Sequence, residues 1–147
     1  MKNITQKNIK QNNLISKIKQ FFYSNGWEPL PYQIESWEAF LNGENGIIQV
    51  PTGCGKTYAA LMGPLSQIDD PKNNISVNIL LITPLKALSR DLKNSIKLAA
   101  LHFNKEITVE IRNGDTTPYE KKKQLKKPPN ILITTPESLA LLLSNKE

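Results

Sequence analysis

The sequence predicts an α/β domain built on a parallel, doubly wound sheet. Short β-branched segments alternate with helical stretches from Gly46 to the C-terminus, and this alternation favours right-handed crossovers between parallel strands. The segments NILLIT (78–83) and NILITT (130–135) are almost wholly apolar, as in strands covered on both faces. A glycine-rich loop separates one predicted strand from its helix. In such sheets ligands bind beyond the carboxyl ends of the strands.

Composition narrows the class of protein. The 147 residues are 39% hydrophobic and 22% charged, as in one globular domain or part of a larger protein. No apolar run exceeds five residues, whereas a membrane-spanning helix needs about 20. The N-terminus is too polar for a secretory signal, and single Cys54 and His102 residues exclude an internal disulfide and a His/Cys metal cluster. We therefore predict a cytoplasmic protein without membrane contact, whose net charge of +6 favours nucleic acid as a partner.

The N-terminal region predicts two helices. Residues 1–13 are polar and are expected to be frayed, so the predicted domain covers residues 14–147. Apolar residues recur at helical spacing from Leu14 onward, and Gly26 ends that helix. A second helix is predicted from Pro31 to Asn42.

The alternating region follows. Its predicted strands are Gly46–Val50, Val77–Thr83, Ile107–Arg112 and Ile131–Thr134. Its predicted helices are Lys56–Ile68, Leu85–Phe103, Tyr119–Leu125 and Pro136–Leu143.

The strongest motif is a phosphate-binding loop. It contains Pro51, Thr52, Gly53, Cys54, Gly55, Lys56 and Thr57 between a predicted strand and a helix, although Val50 replaces the first glycine of the usual pattern. The glycines let backbone N–H groups turn toward an anion at the helix N-terminus. Lys56 can reach the β- and γ-phosphates of a nucleotide, and the Thr57 hydroxyl can bind Mg²⁺. Cys54 is either a small residue that fits the loop or an oxidisable thiol.

Five segments together resemble a known family. GWEPLPYQIESW, VPTGCGKT, ITPLKAL, RNGDTTPYE and ILITTPESLALLL resemble, in order and spacing, the first motifs of superfamily 2 DExH-box helicases. They are most similar to the large helicase-related (Lhr) family, in particular its bacterial ligase-associated DNA-repair branch. The resemblance covers Gly26 to the C-terminus. It implies part of a RecA-like P-loop NTPase domain that uses ATP and Mg²⁺ and acts on single-stranded DNA, with RNA as the alternative and a ligase among the expected partners.

The resemblance also assigns the nucleotide-binding residues. Lys56 and Thr57 match the catalytic pair of the phosphate loop, and Gln33 matches the glutamine whose amide binds the adenine edge. The alternative for Gln33 is a solvent-facing helical glutamine. Trp27 and Tyr32 either flank the base or serve simple packing.

Three further segments match the nucleic-acid side of the family. The matched residues are Thr83, Pro84 and Lys86 (motif Ia), Arg112, Gly114, Asp115 and Thr116 (the R-x-GDT loop), and Thr134, Thr135 and Pro136 (motif Ib). Each motif is also compatible with an ordinary turn between a strand and a helix. The lysine run at 121–127 is either a solvated helix face or an additional, salt-dependent contact with the nucleic acid.

One family element is missing from the sequence. No Asp-Glu pair follows Thr135, although the DExH box would hold Mg²⁺ and polarise the attacking water. We therefore expect an N-terminal part of the first motor domain, which binds nucleotide weakly and does not hydrolyse it alone. The alternatives are a non-catalytic nucleic-acid-binding product of a truncated gene and a small P-loop kinase.

Overall fold

A computed structural model describes residues 2–68, 76–84, 86–103 and 106–144, without the side chains of residues 2–5, 7 and 86. The chain divides into two compact units, residues 1–67 and residues 68–147. Within the described residues, no helix combines the length and the apolar character that crossing a membrane requires.

The first unit consists of three helices around an aromatic core. Helix α1 spans Lys2–Ser24, α2 spans Pro31–Leu41 and α3 spans Lys56–Ser66. Trp37 of α2 is completely buried, and its indole N–H donates to the main-chain oxygen of Tyr58 at 3.0 Å. The rings of Phe21, Phe22, Trp27 and Tyr58 pack edge to face or tilted against one another. These contacts fix α1 and α2 against α3.

Two predictions for this unit differ from the structure. Helix α1 begins at Lys2, so residues 2–13 are helical, and the Gln11 side chain donates to the Leu41 oxygen at 2.7 Å. The predicted strand at 46–50 is wrong, because these residues form neither strand nor helix. A parallel strand needs a neighbour for its hydrogen bonds, and the described part of residues 1–67 contains no other strand.

The second unit is a parallel sheet with flanking helices. Its elements are β1 (Ile79–Ile82), α4 (Lys86–His102), β2 (Val109–Arg112), α5 (Pro118–Lys126), β3 (Ile131–Thr134) and α6 (Pro136–Ser144). The strand order is β1-β3-β2, and Ile131 of β3 aligns with Ile79 on one side and Val109 on the other. The predicted parallel α/β fold is therefore confirmed. Leu85, the predicted first residue of α4, lies outside the described residues.

The sequence predicts that the strands in residues 78–83 and 130–135 are both covered on two faces. This prediction is confirmed for one of them. All four residues of the central strand β3 are buried. In β1, by contrast, Leu80 and Ile82 are exposed, so one face of this edge strand lies open to solvent.

A buried asparagine aligns the amino ends of the three strands. The Asn130 side-chain oxygen accepts from the main-chain N–H and the hydroxyl of Thr108, at 2.9 and 2.8 Å. The Asn130 main-chain oxygen accepts from the N–H groups of Asn78 and Ile79. Because these bonds fix the strand register at the amino ends, the carboxyl ends are positioned as one edge.

Candidate functional site

The phosphate loop holds its shape through two left-handed glycines. Gly53 has φ of 82° and Gly55 has φ of 83°, and Gly55 is the N-cap residue of α3. A Cβ on Gly53 would meet no atom within 4 Å, whereas a Cβ on Gly55 would come within 2.7 Å of the Gln33 side-chain nitrogen. Thr52 and Gly53 are exposed. The loop therefore presents its backbone to solvent at the start of a helix, the geometry that favours an anion.

Helix α2 braces this loop with two adjacent side chains. The Tyr32 hydroxyl donates to the Cys54 main-chain oxygen, and the Gln33 amide nitrogen donates to the Gly55 oxygen at 3.0 Å. Desolvation, followed by the electrostatic effect of Cys54, raises the pKa of Tyr32 above its usual value, which already keeps this hydroxyl protonated at neutral pH. Tyr32 and Gln33 were both singled out from the sequence, but neither of these hydrogen bonds was predicted.

Gln33 is not solvent-facing. Its side chain is 3% exposed, and its amide oxygen accepts from the Leu30 N–H at 2.9 Å. Both ends of the amide are thus engaged, one with the start of α2 and the other with Gly55. Trp27 packs on Phe21 and Phe22, as its packing alternative predicts.

Lys56 and Thr57 lie where the loop enters α3. The Lys56 ammonium donates to the main-chain oxygens of Val50 and Pro51, both at 2.7 Å, so it folds back over the loop. Thr57 and Cys54 are half-buried beside it. The loop offers backbone N–H groups and an ammonium as hydrogen-bond donors to nucleotide phosphates. The Thr57 hydroxyl oxygen is a suitable ligand for the Mg²⁺ that accompanies them.

In the second unit, the carboxyl edge of the sheet brings three predicted residues together. The Thr83 N–H donates to the Thr134 oxygen at 2.9 Å, and the Thr134 hydroxyl donates to the Arg112 oxygen at 2.7 Å. Thr134 is 0% exposed and Arg112 is 8% exposed. A main-chain hydrogen bond therefore joins the end of β1 to that of β3, and the Thr134 hydroxyl joins the end of β3 to that of β2.

Thr135 begins the helix that follows β3. Its hydroxyl accepts from the Ser138 N–H at 3.4 Å, and its main-chain oxygen accepts from the Leu139 N–H at 2.9 Å. Thr135 is buried, while Pro136 and, after β1, Pro84 are exposed. At both positions the start of a helix therefore lies at the surface. The Lys86 side chain lies outside the described structure.

The loop after β2 is held by its own hydrogen bonds. The Asn113 side-chain oxygen accepts from the Asp115 N–H at 3.0 Å, and the Thr116 hydroxyl accepts from the Asn113 N–H at 2.9 Å. Gly114 and Asp115 are exposed at the tip of the loop. Asn113 was not predicted as part of the site, although Asn-Gly-Asp is a recognised turn signal.

A cavity of about 460 Å³ adjoins this loop. Its charged lining residues are Arg90, Lys93, Glu110, Asp115 and Glu120. Lys93 forms an ion pair with Glu110 at 3.2 Å. Charges of both signs therefore line this cavity.

The chain resembles helicases in sequence and in structure. The family model for the DEAD/DEAH box helicase matches residues 30–147. The chain is 35% identical over 129 residues to the Lhr helicase/probable uracil glycosylase of Mycolicibacterium smegmatis, covering 80% of the chain and 9% of the relative. It is 41% identical over 114 residues to the ATP-dependent helicase Lhr-Core of Methanothermobacter thermautotrophicus, covering 69% and 13%.

Two solved structures extend the similarity to the fold. The structure of Mycobacterium smegmatis helicase Lhr bound to single-stranded DNA and AMP-PNP matches with a TM-score of 0.78 and 32% identity, over 87% of this chain and 18% of the other. The DUF1998 helicase MrfA bound to DNA matches with a TM-score of 0.69 and 27% identity, over 84% and 17%. These matches confirm the predicted RecA-like fold, of which this chain forms part.

Proposed function

Because the chain belongs to the DEAD/DEAH box helicase family, we propose that it is the ATP-binding portion of an Lhr-type helicase that translocates on single-stranded DNA. The observation that carries the proposal is the phosphate loop, with two left-handed glycines at the start of α3 and the Lys56 ammonium folded over it. The chain spans 9 to 13% of the curated relatives named above, so translocation is proposed for the intact protein.

The phosphate loop is the proposed ATP site. Loop N–H groups and the N-terminus of α3 bind the phosphates, and Lys56 exchanges the oxygens of Val50 and Pro51 for the β- and γ-phosphate oxygens. Thr57 supplies a hydroxyl ligand to the Mg²⁺ that accompanies ATP. This ion would neutralise phosphate charge.

Gln33 is the proposed adenine contact and also a brace of the loop. Its amide oxygen binds the Leu30 N–H, so an adenine amino group would have to share or replace that donor. Its amide nitrogen binds the Gly55 oxygen. Adenine binding at Gln33 would thereby act on the conformation of the phosphate loop.

The carboxyl edge of the second unit is the proposed track for the DNA strand. Since Thr83, Thr134 and Thr135 are buried, backbone N–H groups at the helix starts near Pro84 and Pro136 are the donors available to phosphates. The exposed Gly114 and Asp115 add a loop at the same ends of the strands. Contacts of this kind hold a strand without regard to sequence.

Hydrolysis is proposed for the intact protein alone. The 147 residues lack the Asp-Glu pair of the DExH box, which would position the attacking water. A role in DNA repair beside a ligase, in the cytoplasm, is proposed on the sequence resemblance. Membership in the helicase family argues against a small P-loop kinase.

The test is replacement of Lys56 by Ala in the intact protein. We expect DNA-stimulated ATPase activity to fall by about 100-fold or more, because the variant lacks a positioned positive charge at the phosphates. Lys19→Ala is the matched control, since Lys19 is a half-buried lysine of the same unit outside the loop. Retention of ATPase activity by the Lys56 variant would overturn the proposal, whereas salt-dependent DNA binding without ATPase in the wild type would support the non-catalytic alternative.

A further inference from the structure

Helix α5 presents a concentrated positive surface outside the sites described above. We call Lys122, Lys123, Lys126 and Lys127 the α5 lysine face; all four are exposed, and α5 contains no buried residue. Residues 118–130 hold five lysines and one glutamate, and so carry most of the chain's net charge of +6. No ion pair involves these lysines within the described part of the chain.

The acidic residue of α5 is already committed to the helix cap. The Glu120 carboxylate accepts from the N–H and the hydroxyl of Thr117, at 2.9 and 2.8 Å. The Thr117 hydroxyl in turn accepts from the Glu120 N–H. Glu120 also interacts electrostatically with Lys123, and it is the one acidic residue among positions 118–127, so a single carboxylate faces five lysines there.

Two hydrogen bonds fix α5 to the edge strand β2. The buried Arg112 guanidinium donates to the Lys121 main-chain oxygen at 3.2 Å, and the Gln124 amide donates to the Ile111 oxygen at 3.0 Å. The lysine face is therefore held by the end of the same strand that leads into the loop at 113–117. A flexible basic tail would lack this fixed orientation.

The spacing of the lysines disfavours the helix itself. Lys122 and Lys126 are an i,i+4 pair, about 6 Å apart along the helix axis, and Lys127 follows as the C-cap residue of α5. Like charges at this spacing destabilise a helix slightly. A helix that only faces solvent would be more stable if the sign of its charges alternated. A row of positive charges instead complements a polyanion.

We propose that the α5 lysine face binds the phosphate backbone of duplex DNA adjoining the strand held at the carboxyl edge. The inference rests on the proposed function, because that function brings nucleic acid to the loop at 113–117, from which α5 directly continues. The complementary strand of the duplex is then the additional polyanion close to α5. The contact is electrostatic and independent of sequence.

The test measures how DNA affinity depends on salt in the intact protein. Lys122→Gln with Lys126→Gln is compared with the wild type on a short single strand and on the same strand extended by a duplex. Each lost phosphate contact lowers the slope of log K against log salt by about 0.9. We expect a decrease of about 2 on the tailed duplex and no change on the single strand.

The control is Lys10→Gln with Lys97→Gln, which removes the same charge from exposed positions on α1 and α4. An unchanged slope on the tailed duplex, an equal decrease on both DNAs, or an equal decrease in the control would each overturn the proposal. ATPase activity without DNA should be the same in all three proteins. Failure of the proposed function would appear separately, as the absence of Lys56-dependent ATPase activity in the wild type.

Discussion

In the phosphate loop, residues 51–53 are exposed and the shape resides in the backbone, whereas at the carboxyl edge of the sheet the motif threonines at the strand ends, Thr83, Thr134 and Thr135, are buried. Thr52 faces solvent, while the Thr134 hydroxyl is completely buried and joins β3 to β2. A threonine that matches a family motif is therefore exposed to solvent in the phosphate loop, whereas at the carboxyl edge it holds two strands together. In both regions the proposed phosphate contacts are backbone N–H groups at a helix start.

The largest effect should follow from Gly55→Ala, which tests how tightly α2 holds the loop. The substitution strains a left-handed residue and drives a Cβ to within 2.7 Å of the Gln33 amide nitrogen. We expect the free energy of unfolding to fall by about 2–3 kcal/mol, from the backbone strain and one lost hydrogen bond together. Denaturant titration measures this change, and nucleotide titration should show weaker binding.

Gly53→Ala is the matched control for this variant. Gly53 has nearly the same φ, but its added Cβ meets no atom within 4 Å. We expect a loss of about 1–2 kcal/mol from backbone strain alone. If the two variants lose equal stability, the contact between Gln33 and the loop does not constrain Gly55.

A smaller effect should follow from Thr134→Val, which tests the support role at the carboxyl edge. Valine preserves the shape but leaves the buried Arg112 oxygen without this hydroxyl donor, at a cost of about 1–2 kcal/mol. Thr52→Val is the counterpart in the phosphate loop and should change stability by less than about 0.5 kcal/mol, because Thr52 is exposed. Equal losses, measured by denaturant titration, would remove the distinction between the two regions.

Local patterns predicted most of the elements. Strand β3 has its predicted bounds, because an apolar run between polar turns defines both of its ends. The apolar segment at 46–50 shows where the pattern fails, since its hydrogen bonds would have to come from a strand distant in sequence. The same reason limits the prediction of burial, which succeeds for the central strand and misses the exposed face of β1.

Side-chain roles were harder to predict than elements. The sequence places Gln33 and Arg112 in functional motifs, but their partners are main-chain oxygens of Gly55, 22 residues away, and of Lys121, nine residues away. Asn130 has no sequence feature that distinguishes a structural asparagine from a surface one, and the Asn-Gly-Asp signal at Asn113 predicts a turn without specifying the hydrogen-bond partners of the side chain. Their hydrogen bonds depend on the approach of neighbouring backbone, which residue spacing does not specify.

The smallest effect concerns the cap of α5, where the sign of the pH dependence can be tested. The hydrogen bond from the Thr117 main chain, followed by that from its hydroxyl, lowers the pKa of Glu120. A lowered pKa means that the carboxylate stabilises the fold at neutral pH and that this contribution is lost as the pH falls through the lowered value. Thr117→Ala removes the hydroxyl and keeps the main-chain donor, so the Glu120 pKa should rise part of the way toward its usual value. A side-chain carboxyl titration by NMR measures the Glu120 pKa in both proteins, and an unchanged value in the variant would assign the shift to the Thr117 main chain and the nearby Lys93 and Lys123, and not to the hydroxyl.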